Sequence, residues 1–153
     1  MANTPKGRPP VDGYTIGLRL LACLLGLFFV FNGLDKAAWL TDSGILAARL
    51  AGWLENAPPS TRWYIETVAM PGVPLFARLV PLAEFAAGAA LVLGFWTRLA
   101  ASVAFLLMAN FHVARGFIYD PEFLIDGTGF PVLGGLLALA IGGSRLPLSV
   151  SRQ

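Results

Sequence analysis

Four long apolar stretches, separated by polar breaks, set the pattern of this chain. Ile16 to Leu34, IGLRLLACLLGLFFVFNGL, carries Arg19 near its start and Asn32 near its end; Phe76 to Trp96 contains Arg78 and Glu84. Leu99 to Arg115 turns polar in its final turns, and Gly129 to Gly143 is short and glycine-rich. A bilayer-spanning helix needs about 20 mostly apolar residues, and in lipid its backbone polar groups must be satisfied within the segment. The pattern therefore predicts an all-α membrane protein, a bundle of four transmembrane helices over about 16–36, 76–96, 99–115 and 129–143.

The interval 41–74 is too long to be a bare connector. SGILAARLAGWLE places Leu46, Leu50, Trp53 and Leu54 on one helical side, with Asp42 or Ser43 as N-cap. APPS breaks that helix, TRWYIETVAM offers a second, and PGVP breaks again. Because Trp and Tyr favour the headgroup layer, this loop is expected to be an extracytoplasmic interfacial helical segment between helices one and two. A small cap that merely packs over the bundle is the other reading of the same pattern.

Composition agrees on the solvent. The 153 residues are 56% hydrophobic and 13% charged, against roughly 25% charged in a soluble domain. One membrane domain, 1–153, is expected, in contact with the lipid bilayer. The first apolar run is longer than a cleavable signal core and continues into Asp35 and Lys36, so it is read as uncleaved. Lys6 and Arg8, Arg98, and Arg145 with Arg152 fall on alternate sides of a four-helix count. The positive-inside rule then places both termini in the cytoplasm of a multi-pass plasma-membrane protein. No basic cluster points to nucleic acid.

Polar residues converge on the outer half of this bundle. At about 1.5 Å per residue, Glu84 lies roughly 13 Å below the outer surface and Asn110 roughly 12 Å, with His112 closer to it. Asn32, Asp35, Lys36, Arg78 and Arg115 lie nearer the edge. An ionised Glu at a helix centre costs about 2.5 to 3.5 kcal/mol, so it is normally paired, neutral or turned inward. Gly88, one turn after Glu84, and the Ala83/Ala87 and Ala86/Ala90 pairs allow a second helix to come close on that side. Arg78, Arg115 and His112 are candidate partners for Glu84, as is Asn110 if the carboxyl is neutral. Glu84 is the candidate proton acceptor; Asn32, Asp35, Lys36, Arg78, Asn110, His112 and Arg115 form the candidate ligand-binding cluster. Asp35 and Lys36 point about 100° apart, so Lys36 shares its face with Asn32 instead. Trp39, Phe85 and Phe111 are the expected aromatic neighbours, and Arg19 is expected to snorkel to the inner headgroups.

The chemistry is narrowed by what is scarce. Cys23 and His112 are the single cysteine and histidine, which leaves no intrachain disulfide, cluster ligand set or bis-His haem. No metal site and no covalently bound cofactor is read, and no phosphate loop or dinucleotide fingerprint occurs. Redox chemistry would need a diffusible carrier such as a quinone, or a cofactor on a partner.

The runs LRLLACLLGLFFVFNGLDK (Leu18–Lys36), LFARLVPLAEFAAGAALVLGFWTRLAA (Leu75–Ala101) and NFHVARG (Asn110–Gly116) resemble the DoxX/DoxD family of small four-helix membrane proteins. The most specific part is Glu84 followed by Gly88, Gly94, Thr97-Arg98 and Ala100-Ala101, preceded by FNGLDK. That resemblance implies membership of a membrane oxidoreductase complex: DoxD is a subunit of a thiosulfate:quinone oxidoreductase, and DoxX relatives are associated with redox defence. It supplies no catalytic residue to carry onto Glu84. The leading expectation is a subunit of a quinone-linked oxidoreductase, working with a second subunit or a soluble redox enzyme, with a homo-oligomer left open. A non-catalytic scaffold for a soluble oxidoreductase comes next, and a small-solute transporter last.

Overall fold

A computed structural model describes residues 13–143 and Leu146. Lys6, Arg8, Arg145 and Arg152, on which the expected orientation leans, lie outside the described residues. The described chain is helical: α1 (Gly13–Asp35), α2 (Gly44–Leu54), α3 (Pro59–Tyr64), α4 (Val73–Leu93), α5 (Thr97–Arg115) and α6 (Phe130–Gly142). α3 runs on as a π-helical turn, Ile65–Ala69, closed by the Met70 N–H on the Ile65 carbonyl at 2.8 Å. Short 3-10 turns cover Ala37–Leu40, Phe117–Tyr119 and Pro121–Leu124.

α1, α4 and α5 are each long and apolar enough to cross a membrane. α6, with 13 residues, is only about 20 Å long. α1 packs on α4, α4 on α5, α5 on α6, and α6 back on α1. The core of this ring is built from Phe29, Leu91, Ala104, Leu136 and Leu139, all fully buried.

The α1–α4 contact depends on missing side chains. A methyl group on Gly88 would stand 2.6 Å from both the Gly26 carbonyl oxygen and the Val30 nitrogen, and one on Gly33 would stand 2.8 Å from the Pro81 oxygen. Those neighbours are backbone atoms, so the two helices lie together only because glycine occupies these positions. Gly26 and Gly33 are seven residues apart, two turns along one face of α1.

The sequence reading carried the second apolar helix to Trp96, but α4 stops at Leu93. Gly94 turns left-handed (φ 68°), and the Phe95 N–H reaches back to the Ala90 carbonyl at 2.8 Å. This is the glycine helix terminator that a non-glycine residue enters only with strain. Arg19 also departs from expectation. Instead of snorkelling outward, its guanidinium donates to the Leu91 and Val92 carbonyls at 2.9 and 2.6 Å, supplying donors that the last turn of α4 lacks.

α2, α3 and the π-turn form a lid with a core of its own. Leu46, Leu50, Ile65 and Ala69 pack with Trp39 against Val73 and Ala77 of α4. Asp42 takes the Gly44 N–H at 2.8 Å, so Asp42 rather than Ser43 ties down the start of α2. The Thr61 hydroxyl fastens α3 to the Val113 carbonyl of α5 at 3.1 Å.

Candidate functional site

Glu84 projects from the middle of α4, one turn after the buried Pro81 and one turn before Gly88. It is 6% exposed, and its partner is Lys36, itself 4% exposed. The ammonium spans both carboxylate oxygens, at 2.8 Å to Oε2 and 3.1 Å to Oε1. Lys36 also donates to the Asn32 carbonyl at 3.2 Å and to its Oδ1 at 3.4 Å, while the Asn32 amide donates to the Phe28 carbonyl at 2.9 Å. The donors of the lysine are thereby spread over α1 and α4.

This corrects the pairing expected from sequence. Arg78 is exposed and folds onto the Pro74 carbonyl of its own helix at 2.6 Å. Arg115 is exposed and stacks over the Phe117 ring at 4.6 Å. Depth estimates placed Lys36 near the outer edge, but the glycine-lined α1–α4 contact brings its base close enough for a four-carbon stem to reach Glu84. Asp35, on the adjacent face, is exposed and stays out of the pair.

His112 is fully buried, yet it turns away from Glu84. Its Nε2 meets the Thr128 carbonyl at 3.0 Å, and its ring sits among Phe111, Phe117 and Phe123 at centroid distances of 6.1, 5.7 and 5.2 Å. Nδ1 has no hydrogen-bond partner among the described residues. A proton on Nε2 lets the ring donate to the Thr128 carbonyl, which fastens the α5–α6 loop. Beside it, the hydroxyl and then the N–H of Thr128 hold the exposed carboxyl of Asp126 below the usual carboxylate range.

Glu84 forms part of the wall of a half-open cavity of about 70 Å³ between α4, α5 and the lid. A single water needs about 10–15 Å³ on the same scale. The other walls are mostly apolar, with Trp39, Trp53, Tyr64, Phe76 and Phe111 set among aliphatic side chains such as Leu46, Leu50 and Leu107. Trp53 meets Phe111 edge-on at 5.2 Å. Phe85, expected here, is 44% exposed on the outside of α4, about 100° round from Glu84. Asn110 does reach the cavity, at its rim, where its Oδ1 accepts from the Tyr64 hydroxyl at 2.6 Å.

Two residues were missed by the sequence reading. Tyr64 belonged to a stretch read only as an aromatic lid, and nothing local marks it as the partner of Asn110. Arg49 lies over the Trp39 ring at 5.1 Å, with the Lys36 ammonium 5.9 Å from the same ring. Its place on α2, one residue before the buried Leu50, was the available clue.

The DoxX family model matches residues 17–114, which hold most of α1, the lid, α4 and nearly all of α5. The inner membrane protein YqjF of Escherichia coli (strain K12) is 34% identical over 119 residues, covering 68% of this chain and 87% of the relative. No solved structure matches the chain at a significant level. With both the site and its supporting helices inside the matched span, the chain belongs to the DoxX family of membrane proteins.

Proposed function

We propose that this protein is the membrane subunit of a quinone-linked oxidoreductase, and that the Glu84 cavity receives the ring of a quinone or quinol. The observation that carries this reading is a buried, hydrogen-bonded carboxylate in the wall of a cavity lined mainly by aromatic and aliphatic side chains. Ligand pockets of this kind combine apolar walls with a few placed polar groups. The chemistry fits, since Trp39, Trp53 and Phe111 offer flat contact; the cavity of about 70 Å³ takes one edge of a ring, with the remainder at its open side.

A quinone, when bound, supplies two-electron, two-proton chemistry. The chain's own contribution is to hold a proton acceptor in a site screened from water. Glu84 offers its oxygens to a ligand hydroxyl, Lys36 fixes the carboxylate from behind, and the aromatic walls exclude competing water. A second subunit or a soluble redox enzyme would supply or take up the electrons.

The proposed setting is the plasma membrane, in line with the name of the Escherichia coli relative, with both termini cytoplasmic and the lid on the outer side. Four crossings are proposed, α6 being the fourth. Thr128 meets His112 near the lid end of α5, and Gly143 lies against Thr97 at the other end, so the short helix follows most of the length of α5. The apolar side chains of Leu124 and Ile125, 62% and 85% exposed, lie in the loop before it and would extend this crossing into the interface.

The test is the quinone content of protein extracted in native-lipid nanodiscs, measured by mass spectrometry beside a Glu84→Gln variant and the bulk membrane. Near-stoichiometric quinone that falls in the variant is the expected result. Quinone at only the bulk-lipid level in both would overturn the reading. It would favour the second one, a scaffold for a soluble oxidoreductase, in which the Lys36–Glu84 pair serves to join α1 to α4.

A further inference from the structure

We propose that the hydrogen bond between Tyr64 and Asn110 is a side gate of the Glu84 cavity, opening toward lipid, and that it admits flat, lipid-soluble rings carrying hydrogen-bonding oxygens. This rests on the quinone reading above and adds how the ligand enters.

Asn110 is exposed on α5. Leu106, one turn earlier on the same face, is 65% exposed, and that face is the one a spanning helix turns to hydrocarbon. An amide there needs a hydrogen-bond partner, since polar groups left unpaired in lipid are costly. Its Oδ1 receives the Tyr64 hydroxyl at 2.6 Å, across the rim of the cavity.

Tyr64 is the last residue of α3, immediately before the π-turn. Such turns are irregular places in a helix and frequently occur at functional sites. The neighbouring fastening, Thr61 to the Val113 carbonyl, lies nearer the end of α5, and Thr61 is fully buried. Release of the Tyr64–Asn110 bond alone therefore opens the rim while the first turn of α3 stays attached through Thr61.

The test uses full-length protein in nanodiscs, with Trp63→Phe and Trp96→Phe so that Trp39 and Trp53 report from the cavity wall. Stopped-flow quenching by a short-chain quinone then gives association and dissociation rates. Tyr64→Phe and Asn110→Leu should each raise both rates about fivefold, the factor expected for one net hydrogen bond, and leave Kd within about twofold. Unchanged rates would overturn the gate, as would weaker binding at an unchanged association rate, which marks a ligand contact. If the unaltered cavity shows no saturable quenching, the quinone reading fails by itself. The gate is then decided by labelling Leu107→Cys, in a Cys23→Ala background, with a membrane-soluble maleimide. Faster labelling with Tyr64→Phe upholds it, and equal labelling overturns it.

Discussion

The Lys36 ammonium and the Glu84 carboxylate meet at 2.8 Å between α1 and α4, with both side chains less than a tenth exposed. Forty-eight positions apart in sequence, they are joined because glycines let two helix backbones touch. The pair is at once the polar end of a cavity and a crosslink between helices, and those roles respond differently to mutation.

Removing one partner leaves a buried charge uncompensated. Lys36→Met and Glu84→Leu should each lower the unfolding free energy by about 3 kcal/mol or more, whereas the double variant should lose far less than the sum, because an apolar pair replaces the ion pair. Denaturant-induced unfolding in mixed micelles measures all three. Additive losses would show that the two side chains are energetically independent.

Gly88→Ala should be worse than its size implies. The added methyl must displace the α1 backbone at Gly26 and Val30, which cannot rotate aside as a side chain does. Gly17→Ala, where nothing lies within 4 Å of the added carbon, is the control and should be neutral or slightly stabilising. Thermal unfolding by circular dichroism separates them, and equal midpoints would mean that α1 and α4 are not pressed together at this point.

How far the site could be read from sequence follows from the same contacts. Glu84 stood out because one carboxylate in an apolar helix has few options, and the small residues around it marked the side that another helix approaches. Its partner did not stand out. Pairing depends on the rotation and height of α1 relative to α4, and a single turn of error along α1 puts Asn32 rather than Lys36 opposite Glu84. His112 shows the limit most clearly: its depth matched Glu84, but 100° of helix rotation separates it from Phe111, which does line the cavity. Helix existence was legible from apolar runs. The end of α4 was marked by Gly94, a residue the apolar pattern reads straight through.

The Asp126 turn carries a testable pH dependence. The Thr128 hydroxyl and N–H bind the charged form of Asp126, so its folded value lies below the unfolded one. A group depressed in this way stabilises the folded loop above its unfolded value, near 3.8, and loses that contribution as pH falls through the lower folded value. Thr128→Val should therefore move the Asp126 titration upward, toward the ordinary range, by carboxyl-carbon NMR. An unmoved titration would mean that the hydroxyl does not hold the carboxylate.

Arg19 offers the sharpest distinction between a charge that merely points toward water and one that closes a helix. Its two donors reach adjacent carbonyls, Leu91 and Val92, at the end of α4, where the chain is about to turn at Gly94. If this is a cap, Arg19→Leu removes charge-assisted hydrogen bonds from the Leu91 and Val92 carbonyls, of which Leu91 keeps only the 3.2 Å bond from the Gly94 N–H, and should destabilise by about 2 kcal/mol. Arg19→Lys should recover only part of that, because one ammonium does not reproduce a planar fork. If Arg19 acted as a headgroup anchor, Lys would serve as well as Arg and the two variants would separate fully. Unfolding midpoints of the three proteins decide between these outcomes. Hydrogen exchange at Gly94 and Phe95 supplies the local readout: faster exchange in both variants follows from a lost cap, and unchanged exchange follows from a lost anchor.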